Sequence, residues 1–189
     1  MIKLEREECP NPNALANDYS HRENKEALLR STFYKCMYCE SKILHIDYGD
    51  IEHIKPKSKF PQFKYDWENL GIACIKCNRE NKKDLYHPDF IDPFQDDPED
   101  HIQAAGGIII PKNGSNRGQI TIDIVNLNRP DLLEKRYTEL MKIQRLLERY
   151  HSLNNPIQKE ALMGQIIEEA NIDKEYSLAK KFLINANFN

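Results

Sequence analysis

Two cysteine pairs constrain this chain more than any other feature. Cys36-Met37-Tyr38-Cys39 and Cys74-Ile75-Lys76-Cys77 share C-x2-C spacing, and residues 40–73 separate them. Each pair can form a tight turn that aims two thiolates at one point. Four thiolates close a tetrahedron around Zn²⁺ and leave no position for water, so the expected site is structural. Two such pairs arising as buried free thiols is the weaker reading. The fifth cysteine, Cys9, stands outside the pattern as a bystander. Disulfides are not expected. The opening "MIKLEREECP" lacks the apolar stretch of a secretory signal, and no apolar run approaches the ~18 residues of a membrane span. These features give a cytoplasmic reading with no membrane partner.

The pattern around the cysteines predicts an α+β architecture. Residues 1–24 read as an N-terminal arm with Pro10 and Pro12, and residues 25–90 as the zinc-stapled core. Residues 22–34 suggest a helix leading into the first cysteine turn. "SKILHIDYGDIEHI" reads as two short strands around Asp47–Asp50, anchored by Ile43, Ile46, Ile51 and Ile54. "NLGIAC" reads as a strand, and "IKCNRENKKDL" as a helix starting at the second cysteine turn. Residues 86–105 look like loop. "GGIIIPKNGSNRGQITIDIVNL" predicts a hairpin turning at Asn113-Gly114, within an extension covering residues 91–129. Residues 130–189 read as a helical region. Pro130 opens a helix to 152 whose stripe is Leu133, Tyr137, Leu140, Leu147 and Tyr150. Asn155-Pro156 starts a second helix to about residue 170. Asp173 would cap a third, ending near Ile184.

Zinc between the two turns would set the strand ending in Glu52-His53 beside the strand after Asn69. It would also fix the start of the helix carrying Asn78 and Lys82. A carboxylate, an imidazole and two carboxamides then converge by construction. At these residues the sequence resembles the HNH endonucleases, whose ββα-metal core carries a strand ending in Asp/Glu-His, a central Asn and a helical His or Asn. Here those positions are Glu52, His53, Asn69 and Asn78, an HNN-type variant. "IEHIKPKSKFP", "YDWENLGIACIKCNRENK", "IDPF" and "MIKLER" further resemble the PtuB-like nuclease subunits of Septu-type and retron-associated anti-phage systems.

The resemblance implies a phosphodiesterase acting on nucleic acid, with DNA expected ahead of RNA. In that family the nuclease works with a separate ABC-type ATPase. This sequence has no G-x-x-x-x-G-K-[ST] phosphate loop, so ATP dependence would come from another chain. His53 is the expected general base, and Glu52 and Asn78 the expected oxygen ligands of one Mg²⁺ or Mn²⁺. Asn69 is expected to bond backbone near His53 and orient the imidazole. Lys55, Lys57, Lys59 and Lys82 are expected to attract phosphates. Neighbouring strand residues point to opposite faces, so Glu52 and His53 share a site only if the strand twists or bulges.

Charge bears on the alternatives. The chain is net −3, yet residues 25–84 carry twelve Lys or Arg against nine Asp or Glu. Two other classes compete. A non-catalytic zinc ribbon that binds nucleic acid would keep the cysteines and lysines, but has no use for the Glu-His, Asn and Asn set. A standalone restriction-like enzyme would need its own recognition element, and no recognition helix or basic stripe is visible. His45, His87 and His101 read as structural or exposed.

Overall fold

A computed structural model describes residues 1–43 and 48–188. The strand expected at Ile46, and His45, lie outside the described residues. The elements run α1 (Pro12–Leu15), α2 (Arg22–Ser31), β1 (Asp50–His53), β2 (Leu70–Ala73), a π-wound helix (Lys76–Lys82), β3 (Ile102–Ala105), β4 (Ile108–Pro111), α3 (Asn116–Ile124), α4 (Pro130–Ser152), α5 (Pro156–Glu168) and α6 (Ser177–Phe188). The mixture is α+β, with two small antiparallel sheets, β1–β2 and β3–β4. Among the described residues, no helix is long and apolar enough to cross a membrane.

The central sheet pairs Asp50 with Ala73, Ile51 with Ile72, Glu52 with Gly71 and His53 with Leu70. Gly71 is required by close approach. A Cβ there would lie 2.2 Å from Met37 Sδ, so the first cysteine turn presses directly on the sheet. Met37 N also donates to Ile72 O at 2.9 Å. The π-wound helix closes with Lys83 N donating to Asn78 O at 2.7 Å, a wide turn five residues apart.

One core runs through the chain from Met1, Ile2 and Leu4 through Leu70 and Ile102 to Leu178. The segment read as an arm therefore packs as core. Trp67 Nε1 donates to Glu7 O at 2.9 Å, and Arg6 donates to the carbonyls of Glu68 and Leu70. A smaller cluster joins Ile143 and Leu147 of α4 to Leu162 and Ile166 of α5.

Three expectations are corrected. The hairpin is β3–β4, and it turns at Gly106-Gly107, where Gly106 has φ +59°. Asn113-Gly114 instead leads into α3, which Ser115 caps by accepting from Gly118 N. Ile120 and Ile124 therefore lie in a helix; their i, i+4 spacing suits either period. The buried stripe of α4 is Leu132, Arg136, Leu140, Ile143 and Leu147, while Tyr137 is 62% exposed. Arg136 turns inward because the carbonyls of Gly107 and Leu127 accept from its guanidinium. The last helix starts at Ser177 and not at Asp173, because the Glu40 carboxylate accepts from Ser177 Oγ (2.7 Å) and Leu178 N (3.3 Å).

Candidate active site and metal centre

The four expected cysteines meet. One sulfur from each of Cys36, Cys39, Cys74 and Cys77 lies within 4.8 Å of the others. Cys39 and Cys74 are 3.8 Å apart. A tetrahedron with Zn–S bonds of about 2.3 Å has edges of about 3.8 Å, so this donor set fits zinc in both chemistry and size. Arg129 Nη1 donates to Cys77 Sγ at 3.5 Å, which offsets part of the negative charge of four thiolates. Cys9 lies apart, its thiol directed at Asn24 Oδ1.

β1 divides the remaining residues by its pleat. Alternate residues share a face, so Asp50 and Glu52 point one way and Ile51 and His53 the other. The π-wound helix covers the Asp50/Glu52 face. Helix side chains about one turn apart meet alternate residues of the strand. Arg79 Nε reaches Asp50 Oδ2 at 2.6 Å, and Asn78 Nδ2 reaches it at 3.4 Å. One turn on, Lys82 Nζ meets Glu52 Oε1 at 2.6 Å. Glu52 is 3% exposed and Lys82 0%. Burial raises the Glu52 carboxyl's pKa, while Lys82 and the Tyr38 hydroxyl pull it back down. Lys82 also donates to His53 O at 3.0 Å, so it braces the backbone of the expected base.

Two sequence expectations therefore change. Lys82 is sealed in the core and attracts no phosphate. Glu52 does not share an open pocket with His53 and Asn78. It lies on the far side of the strand, already neutralised.

His53 occupies the opposite face, 7% exposed. Its Nε2 is 2.9 Å from Lys64 O. A carbonyl only accepts, so Nε2 carries the proton and Nδ1 keeps its lone pair. Among the described residues nothing bonds Nδ1. Burial lowers the imidazole's pKa; the Lys64 carbonyl opposes this, and the charges of Lys57, Lys82 and Lys64 lower it further. Tyr19 packs edge-on against the ring, with centroids 4.8 Å apart. The arm supplies this tyrosine, and no spacing rule pointed to it.

Asn69 sits where a brace is needed. Its Oδ1 accepts from Lys55 N at 2.7 Å, and its Nδ2 donates to Lys55 O and Phe63 O, both at 3.0 Å. It holds the two ends of the loop that follows His53. Arg6 in turn grips the carbonyls on either side of Asn69.

Tyr19, Lys25, Asp50, Lys57, Asn78 and Arg79 contribute to the lining of an open cavity of about 420 Å³. Of the expected lysines, Lys57 reaches it, with Nζ donating to Tyr19 Oη at 2.6 Å. Lys55 lies over the Phe63 ring at 4.5 Å and lines a different cavity, and Lys59 is exposed. His87 and His101 bond locally, to Asp89 N and to Ser115 Oγ. Asp50 and Asn78 line the cavity together, with Arg79 pairing both Asp50 oxygens and Asn78 turning its amide nitrogen to the same carboxylate.

The sequence that builds this site is similar to known proteins. The HNH endonuclease family model matches residues 36–84, from the first cysteine to just past the π-wound helix. The candidate HNH endonuclease of retron Vc95, from Vibrio cholerae serotype O1 biovar El Tor, is 31% identical over 153 residues, covering 71% of this chain and 73% of its own. The chain belongs to the HNH endonuclease family. Within it, Septu protein PtuB of Bacillus mycoides (strain KBAB4) is 31% identical over 160 residues, 65% of this chain and 54% of its own length. This chain thus spans about half the length of that relative. Septu protein PtuA of the same strain is 25% identical over 184 residues, which cover 80% of this chain and 25% of PtuA.

Proposed function

We propose that this chain is a metal-dependent nuclease subunit that hydrolyses phosphodiester bonds for a prokaryotic anti-phage complex, alongside a separate ATPase. The reading rests chiefly on His53. Its proton is fixed on Nε2 by the Lys64 carbonyl, and its lone pair is at Nδ1. Burial keeps the ring neutral near pH 7. A neutral imidazole with one nitrogen anchored can take a proton from water at the other. Asn69 and Lys82 hold the backbone that aims it. Asp50 and Asn78 would hold Mg²⁺ or Mn²⁺ only once Arg79 releases the Asp50 carboxylate and the Asn78 amide turns its oxygen inward; the ion would then neutralise charge on the phosphate and leaving oxygen. Zinc in the four-cysteine site is the frame and not the catalyst. The subunit role, the cytoplasmic setting and the partner follow from likeness to PtuB-like proteins and the missing phosphate loop.

Oligonucleotide and plasmid cleavage with Mg²⁺, Mn²⁺ or EDTA tests the reading. Cleavage is expected with either metal and not with EDTA. His53→Ala is expected to cut roughly 10²- to 10⁴-fold more slowly. A His53→Ala chain that cuts at the parent rate would remove His53 as the base. Coexpression with the adjacent gene tests the partner: cleavage that does not respond to ATP there argues for a standalone enzyme.

A further inference from the structure

The wall beside His53 is aromatic as well as basic. Tyr19 touches the imidazole, and Tyr65 follows it, with ring centroids 6.2 Å apart and planes tilted by 44°. Each tyrosine carries an ammonium over its face: Lys57 at 4.5 Å on Tyr19 and Lys64 at 4.7 Å on Tyr65. Tyr65 is 37% exposed. We propose that Tyr19, Tyr65, Lys57 and Lys64 form a stacking platform for an unpaired nucleic-acid strand, so that the substrate class is single-stranded DNA or RNA. This rests on the nuclease reading above and narrows it.

Stacking needs a free base face. In a duplex every face is taken by the next base pair, so rings of this kind are useful only for splayed or unpaired bases. Charge points the same way. A net charge of −3 gives a weak general pull on a duplex, which proteins usually hold through many phosphate contacts. The two cations of the platform, Lys57 and Lys64, each sit on a ring. A phosphate arriving at the wall draws the ammonium outward and uncovers the ring for its base. Lys64 links the platform to the chemistry. Its side chain lies over Tyr65, while its carbonyl holds His53 Nε2. A base seated on Tyr65 therefore steadies the same backbone that orients the base catalyst.

Binding by the parent chain in EDTA gives the test, since substrate then survives the measurement and Tyr19 keeps the His53 ring it packs against. The probes are one labelled mixed-sequence strand as DNA, the same strand as RNA, and the DNA annealed to its complement. One or both unpaired strands are expected to bind roughly tenfold or more tightly than the duplex. Adding Tyr65→Ala is expected to remove roughly tenfold of that preference, while Tyr65→Phe retains it. Tyr65 lies at the surface, so its loss does not empty the core. Duplex binding as tight as the unpaired strands, or Tyr65→Ala lowering both alike, overturns the platform. The parent chain with Mg²⁺ separates the two readings. Faster cutting of duplex removes the platform and leaves the nuclease. Cutting of no probe removes the nuclease reading, while the binding comparison still decides the platform.

Discussion

The two faces of β1 receive opposite treatment within four residues. One face carries Asp50 and Glu52 under a helix that answers each carboxylate with a donor, and at Glu52 water is excluded. The other carries His53, held by one hydrogen bond and one ring edge, with a nitrogen left over. At Glu52 the first face is sealed, while His53 on the second is left to be completed by something else. A strand can do both because its pleat separates adjacent side chains without separating their backbones. Lys82 makes the link explicit: it neutralises Glu52 on one side and holds the carbonyl of His53, whose ring is on the other.

Replacing Cys77 with Ser should break this comparison altogether, because both faces lose their frame. Structural zinc sites supply folding free energy on the order of 10 kcal/mol, so the variant should lose its metal and its cooperative melting together. A metal-free chain that melts like the parent would show the sheet standing without its clamp. Next is Lys82→Met, which strands Glu52 as a buried, unpaired carboxylate. It should cost about 3–5 kcal/mol in denaturant unfolding, and adding Glu52→Gln should recover much of that. Equal loss in single and double variants would mean that the two charges do not act as a pair. Asn69→Ala should cost roughly 1–3 kcal/mol by leaving backbone groups at Lys55 and Phe63 unmet. It should also slow cleavage, since the loop after His53 loosens. The smallest effect is in the pH profile. The base works when neutral, and burial lowers its pKa, so the acid limb of the rate profile should fall below about 6.5, the unperturbed value. A limb at or above that value would mean that the imidazole is more hydrated than its packing implies.

The closed and open faces also differed in how far the sequence revealed them. The cysteine spacing and the strands ending at His53 and beginning at Leu70 follow from local pattern, and the structure has them, whereas Asn69 was marked by the resemblance and not by any pattern of its own. The two-residue period was equally visible in Asp50-Ile51-Glu52-His53, and it places Asp50 and not Glu52 beside Asn78 once the helix is laid across that face. Burial of Lys82 was not legible, because a lysine on a short polar helix usually faces water. Tyr19 was not legible either: it reaches His53 from thirty-four positions upstream through a segment with no regular period. The displaced hairpin shows the limit of turn signals. Asn113-Gly114 and Gly106-Gly107 both suit a reversal, and packing against α4 through the Gly107 carbonyl chooses between them.

The seam between the first cysteine turn and the last helix carries a practical consequence. Lys35 Nζ donates to the carbonyls of Ile172 and Lys174, and Glu40 holds the start of α6. The stretch recognisable as a nuclease motif is thus riveted at its first cysteine turn to residues more than a hundred positions away. It is no cassette: excised at residues 36–84 it would lose Lys35 and leave the Glu40 carboxylate facing solvent where Ser177 and Leu178 used to be.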